Sequence, residues 1–395
     1  MRIELEYEVI ESLNSIENKC EMSRDQIAFL CGLLKWKKPK KVVEIGVAEG
    51  GTTAVIIGCL ASLAENVEYH AVDILEKCWN DSNKDTGYVV GEVYEKLPET
   101  VNMSWHLGKC LPNYIDKIGD GIDFVILDTV HSVPGEILDF LAIYPFLKKD
   151  AVVVLHDITL CHWLTSEDSI CTNVLYGGIP GIKLLPEGTV DGSRYFSNLG
   201  AVQLDNNVND GIKNIFWNLT LPWRYMLDDN SLMLYSNLYE KYYGKGYRDY
   251  LADVVKVNQK RMVEKRQKEE QNKNAVAQFH ETLRQKDKIL LYGAGDYGHI
   301  FLEYINNIGY RAEAFVISDS EDLNRFSEKE IPFDQKECCC ILCMTEDKQV
   351  DVQGYVKRAG MMVFPQKGYD YNRLINYLKE TNILYKKGYL EKREE

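Results

Sequence analysis

From residue 41 to residue 156 the chain repeats one pattern: a short apolar run of strand length, a turn, then a segment with helical spacing. The runs fall at 41–46, 67–73, 102–107, 122–128 and 151–156, with helical patterns at 51–64, 111–118 and 133–147 among them. Strand and helix in alternation predict βαβ units, and right-handed crossovers turn these into an α/β, doubly wound, mostly parallel sheet. Two further runs, "GIKLLP" and "LGAVQL", predict a closing hairpin. Ahead of the first strand, Ile27, Leu30 and Leu34 share one helical face, and "KWKKPKK" breaks that helix.

The alternation stops after residue 205 and restarts at residue 287, with strands at 288–292, 311–317, 338–344 and 361–364. A chain of 395 residues exceeds one typical core, so two sheets fit its length. The organisation expected is a helical segment 1–40, a first domain 41–205, a helical connecting region 206–286, a second, smaller Rossmann-like domain 287–370, and a terminal helix 371–395. In the connecting region an aromatic half is followed by the charged "KVNQKRMVEKRQKEEQNKN", which reads as a solvated helix.

A formal charge of −14 argues against a nucleic-acid partner, because neutralising phosphates needs clustered Lys and Arg. No apolar run approaches the roughly 20 residues of a membrane helix, and the N-terminus lacks a secretory apolar core, so a cytoplasmic protein with a small-molecule acceptor is expected. Oligomeric state is not legible; a homo-oligomer remains open. Eleven cysteines without an export signal predict thiols rather than a disulfide framework.

In "VVEIGVAEGGTTAVI", residues 42–56, a strand turns into a helix through Gly46, Gly50 and Gly51. Such a turn brings backbone close to a ligand at a helix N-terminus. It carries its own carboxylates, Glu44 and Glu49, which suit a cationic or hydroxyl-rich ligand better than a pyrophosphate. The second strand ends in Asp73, an acid placed to accept both hydroxyls of a ribose. Together these indicate a nucleoside.

These residues resemble the class I S-adenosylmethionine-dependent methyltransferases. "EIGVAEGGTT" is similar to the glycine motif of the subgroup with sugar and macrolide O-methyltransferases and cephalosporin-hydroxylase-like proteins. The resemblance covers about residues 25 to 205. It implies that Glu44, Gly46, Gly50 and Gly51 flank the methionine part, that Asp73 holds the ribose, and that the adenine lies near Gly108 and Lys109. An acid often follows that glycine in the family; here Lys109 stands instead.

"DFVILDTVHS" and "VVVLHDI" place Asp128, His131, His156 and Asp157 at the carboxyl ends of neighbouring strands, the edge where such sheets bind ligands. The acids can hold a hard divalent cation such as Mg²⁺, through Asp128 and Asp157, or serve an alcohol nucleophile as proton acceptors. Asp128 with His131 or His156 is the expected catalytic set. Trp163, Tyr176, Arg194 and Tyr195 are candidates for contact with the acceptor.

A second turn, "LLYGAGDYGHIF", spaces Gly293, Gly295 and Gly298 as in a dinucleotide fingerprint, and "FVISD" ends the next strand in Asp319. This segment resembles the small Rossmann-like domains of bacterial sugar-modifying enzymes, which implies a site for NAD(P) or a nucleotide-sugar, or a structural role. In "CCCILCM", neighbouring strand residues point to opposite faces, so Cys338, Cys339 and Cys340 cannot converge on one ion and are expected as buried thiols. The leading expectation is O-methylation of a sugar or small hydroxylated metabolite. The alternatives are an NAD(P)-dependent oxidoreductase acting through the second turn, and a non-catalytic binding protein.

Overall fold

The structure, a computed structural model, describes residues 3–13, 16–63, 65–162, 169–186, 197–205, 208–316, 334–365, 369–388 and 390. The chain divides into two compact units, Met1–Arg261 and Met262–Glu395.

The first unit is built on seven strands: β1 Lys41–Ile45, β2 Val67–Asp73, β3 Val101–Leu107, β4 Ile122–Leu127, β5 Leu147–His156, β6 Ile182–Leu184 and β7 Leu199–Gln203. Their spatial order is β3-β2-β1-β4-β5-β7-β6. The first five are parallel, while β7 runs antiparallel to both β5 and β6. This is the mostly parallel sheet with a closing hairpin that the apolar runs predict. The order reverses between β1 and β4, which opens a crevice at their carboxyl ends.

β1 and β4 are buried on both faces, as a sheet covered on two sides requires, and their Val/Ile-rich sequences reflect it. One face packs on the helices Arg24–Lys37 and Gly51–Ser62, and Ser23 opens the first of these with a reciprocal capping box to Gln26. The other face packs on Gly135–Ile143 and on the aromatic helices that follow the sheet. Phe216, Tyr239, Tyr243 and Tyr247 form a ring cluster there, with Phe216 and Tyr247 centroids 4.3 Å apart. The aromatic half of the region after residue 205 is thus core of the first unit. Strand β5 starts at Leu147, earlier than its apolar run at 151, and the exposed Lys148–Asp150 stretch enters through a register shift against β4.

The second unit has four parallel strands, β8 Lys288–Tyr292, β9 Ala314–Val316, β10 Cys338–Leu342 and β11 Met362–Phe364, in the order β11-β10-β8-β9. Cys339 and Cys343 face one core cluster with Phe279, Phe301 and Tyr371, whereas Cys338 and Cys340 face the other with Val356 and Val363. The thiols alternate across the sheet as strand geometry demands. Burial pushes Cys339 up to about 12 and raises Cys340 well above the ordinary thiol value, so both are inert at neutral pH. Among the described residues, no helix is long and apolar enough to cross a membrane.

Candidate active site

At the carboxyl ends of β1, β2 and β4 the first unit encloses a cavity of about 610 Å³. Its floor is the glycine turn. Gly46 has φ +94°, and a Cβ there would stand 1.7 Å from the Asp128 carbonyl oxygen, so β1 and β4 touch backbone to backbone. Gly50, at φ +88°, begins the helix Gly51–Ser62, and a Cβ on Gly51 would meet the Lys19 carbonyl at 1.8 Å. Glycine is required at both touching positions by close approach.

Glu44 lies beneath the turn, fully buried, and accepts from the Thr53 hydroxyl at 2.8 Å and the Tyr69 hydroxyl at 2.5 Å. Burial raises its carboxyl to about 8 against the pull of those two donors, so it is largely protonated at neutral pH. It therefore lines the cavity as a hydrogen-bonding group more than as an anion. Asp73 ties the turn down: Oδ2 accepts from the Val47 and Ala48 amides at 2.9 and 3.2 Å, and Oδ1 from Leu75 at 2.8 Å. Its carboxylate still faces the cavity, where further acceptor positions are open to a hydroxyl. Lys109 lines the wall, while Gly108, at φ +84°, turns behind it against the Glu76 side chain and lies outside the lining.

The acid and imidazole group assembles at the ends of β4 and β5. His156 Nδ1 is 3.1 Å from Asp128 Oδ1 and 3.6 Å from Asp157 Oδ2, and His131 Nε2 is 3.0 Å from Asp157 Oδ2. His131 and Asp157 both sit at φ +58°, a left-handed conformation that costs side chains such as these about 1–2 kcal/mol. Burial alone would raise Asp128, but the charge and hydrogen bond of His156 outweigh it and hold the carboxyl below its usual range.

His156, one of the two expected bases, is buried against Asp128 and is not among the residues that line the cavity. Burial disfavours its charge, yet Asp128, Asp157 and Glu21 together raise it to about 9, so it is an imidazolium at neutral pH. It stands behind the cavity wall and binds the carboxylates together. His131 and Asp128 do line the cavity, and Asp128, His131 and Asp157 offer ligand atoms within 4.8 Å of one another.

Several wall residues escaped the sequence reading. Lys19 and Glu21 come from the segment before the sheet, and Tyr225, Asp228, Ser231 and Tyr235 from the region after it. Glu136 and Asp139 come from the helix after β4, and Asp139 lines the cavity. The signal for the last pair was available, since two acids in the otherwise apolar "GEILDFLAI" need a reason to be buried. Tyr176 is not part of the wall; its ring lies against Lys183, with the ammonium 4.8 Å from the ring centroid. Trp163, Arg194, Tyr195 and Asp319 lie outside the described residues. In the second unit, Gly293 has φ +108° at the end of β8, Gly295 caps the helix Asp296–Asn307, and Gly298 is buried within it.

Residues 43–158 match the Methyltransferase domain family. This segment holds the glycine turn, Asp73, Asp128, His131 and Asp157, so the first unit carries a stretch that matches a methyltransferase domain. Among solved structures, it is similar to the O-methyltransferase TomG from Streptomyces achromogenes, involved in tomaymycin synthesis and solved with SAM. The identity is 14%, covering 51% of this chain and 92% of that one, with a TM-score of 0.36. The SAH-bound methyltransferase PaMTH1 of Podospora anserina shows 13% identity, 50% and 88% coverage and a TM-score of 0.34. An O-methyltransferase from Bacillus cereus in complex with SAH shows 16%, 50% and 89%, and 0.33. Likenesses of this size carry no argument about the reaction. No curated protein matches the sequence.

Proposed function

We propose that the first unit transfers the methyl group of S-adenosylmethionine to an oxygen of a small hydroxylated acceptor, a sugar being the class in view. One observation carries the reading: a single cavity is lined at once by the glycine turn with Asp73 and by Asp128 with His131. A nucleoside held at the turn and an alcohol held beside His131 would therefore share one enclosed space, which in-line displacement requires.

In that reaction the acceptor oxygen bonds to the methyl carbon, the carbon–sulfur bond breaks with its electron pair going to sulfur, and S-adenosylhomocysteine leaves. The hydroxyl proton passes to the His131–Asp157 pair, and the imidazolium of His156 keeps the Asp128 carboxylate ionised. Methyl transfer from labelled S-adenosylmethionine to a panel of sugars and small alcohols tests the reading. Tight S-adenosylhomocysteine binding with no turnover on any hydroxylated compound would sink it.

The cluster of Asp128, His131 and Asp157 favours a second reading, in which these groups hold an ion instead of taking the proton. Two carboxylates and an imidazole fit a divalent ion, Mn²⁺ or Zn²⁺ better than the Mg²⁺ expected from the acids alone, because Mg²⁺ prefers oxygen donors. Bound there, such an ion would polarise the acceptor oxygen. Turnover after chelation, then after return of each ion, separates the two.

For the second unit we propose a Rossmann-like nucleotide site at Gly293, Gly295 and Gly298, supported by the parallel sheet and the turn from β8 into a helix. Fluorescence titration with NADH and with nucleotide-sugars tests it.

A further inference from the structure

The strand ends set an order across the cavity. From one edge of the sheet they run β3, β2, β1, β4, β5, and they carry in turn Lys109 with Cys110, Asp73, the glycine turn, Asp128, and His156. The inference rests on the methyl-transfer reading above, which puts the sulfonium beside the turn and Asp128 and the ribose at Asp73. The substituents at C1′ and C5′ leave a ribose from opposite ends, so the base must lie on the β3 side.

The wall there is made by Cys110, Leu111, Leu138, Asp139, Ser231 and Tyr235. The helices Gly135–Ile143 and Asp229–Tyr243 both pack on the Leu111–Asn113 turn that follows β3, which places Asp139 and Tyr235 near the end of that strand. Leu111 and Leu138 offer apolar surface to a flat ring. Lys109, the residue expected to meet the adenine, is a donor and cannot accept from an amine.

We propose that Asp139 accepts a hydrogen bond from the exocyclic amine of adenine, so that the site selects a 6-aminopurine nucleoside, with Tyr235 positioning the carboxyl group. Asp139 is 9% exposed, and the Tyr235 hydroxyl donates to its Oδ1 at 2.5 Å. Among the described residues, no Lys, Arg or His forms an ion pair with it. Burial raises it to about 7 against the pull of Tyr235, a state that suits a neutral N–H donor better than a cation. The family-matched segment ends at residue 158, so the helix Asp229–Tyr243, which supplies Ser231 and Tyr235, completes the nucleoside pocket from outside it.

The test is calorimetric binding of S-adenosylhomocysteine and of its 6-deamino analogue, in which hydrogen replaces the amino group. The wild-type protein is expected to prefer the amino compound by about 3- to 100-fold, the span from a hydrogen bond to a neutral group to one to a charged group. Asp139→Leu should erase that preference, read as the ratio of the two affinities. Asp139→Asn should keep it, because the amide oxygen still accepts. Tyr235→Phe should reduce it, and carries the decision if Asp139→Leu does not fold. A full preference persisting in Asp139→Leu or in Tyr235→Phe overturns the inference and leaves methyl transfer standing. Failure of the wild type to bind either compound overturns both.

Discussion

Glu136 stands behind His131: its Oε1 accepts the His131 amide at 2.7 Å and lies 3.5 Å from the ring Nδ1, while the opposite ring nitrogen lies 3.0 Å from Asp157. The same oxygen accepts from the Thr129 hydroxyl at 2.9 Å and its amide at 3.3 Å, so one buried carboxylate ties down the loop after β4. Glu136→Leu strands these donors in an apolar surround and should destabilise the first unit by about 2–4 kcal/mol. Glu136→Gln keeps an acceptor and should cost less. Urea midpoints compare the two, and equal stability would show that the carboxylate does not hold the loop.

His131→Ala should lower turnover by about 10²–10⁴-fold, the range for a lost proton acceptor, and leave S-adenosylhomocysteine affinity near wild type. Asp73→Ala should show the reverse emphasis, a large loss of nucleoside affinity, because it removes the ribose acceptor and frees the Val47 and Ala48 amides. Single-turnover rates and calorimetry on the same preparations separate these effects. A His131 variant with unchanged turnover removes that residue from the mechanism.

The buried Glu44 predicts a pH-dependent stability. Its ordinary carboxyl value is 4.5 and its folded value about 8, so both states hold the proton below pH 4.5 and only the folded state holds it between 4.5 and 8. The unfolded state thus binds fewer protons through that window. Stability should be greatest at the acid end and fall by up to about 1.4 kcal/mol per pH unit as pH rises through 8. Glu44→Gln should flatten the slope, as denaturant midpoints from pH 5 to 8 will show; an identical slope in the variant refutes the assignment.

Gly46 and Gly119 form a matched pair of controls. Both have positive φ, +94° and +69°, but a Cβ on Gly46 meets the Asp128 carbonyl at 1.7 Å, whereas one on Gly119 meets nothing within 4 Å. Gly119, at ψ −175°, sits in a backbone region open essentially to glycine alone, so Gly119→Ala should cost that strain without a clash, about 1–3 kcal/mol. Gly46→Ala should cost well above that or prevent folding. Thermal midpoints decide, and similar losses would mean that β1 and β4 have room to part.

The sheet was legible because its strands are buried on both faces and so read as uninterrupted apolar runs. The glycine turn was legible because close approach restricts residue type at fixed places, and Asp73 because an acid at a strand end stands out beside it. The burial of His156 against Asp128 was not legible, because an HD pair at a strand end reads the same whether its imidazole faces the cavity or a carboxylate behind it. Glu21, Asp139, Tyr225 and Tyr235 could not be placed, since nothing local says that residues a hundred positions apart close one wall. Tyr235 reaches Asp139 across 96 positions of chain.

That long reach bears on how the catalytic segment can be handled. The cavity draws on Lys19 and Glu21 before the family-matched stretch and on Tyr225 to Tyr235 after it. A transplant of residues 43–158 into another scaffold would carry the turn and the acids but arrive with two sides of its vessel missing. Every residue that lines the cavity lies within the first compact unit, Met1–Arg261, so a transplant that keeps the vessel whole must carry the flanks along with the sheet.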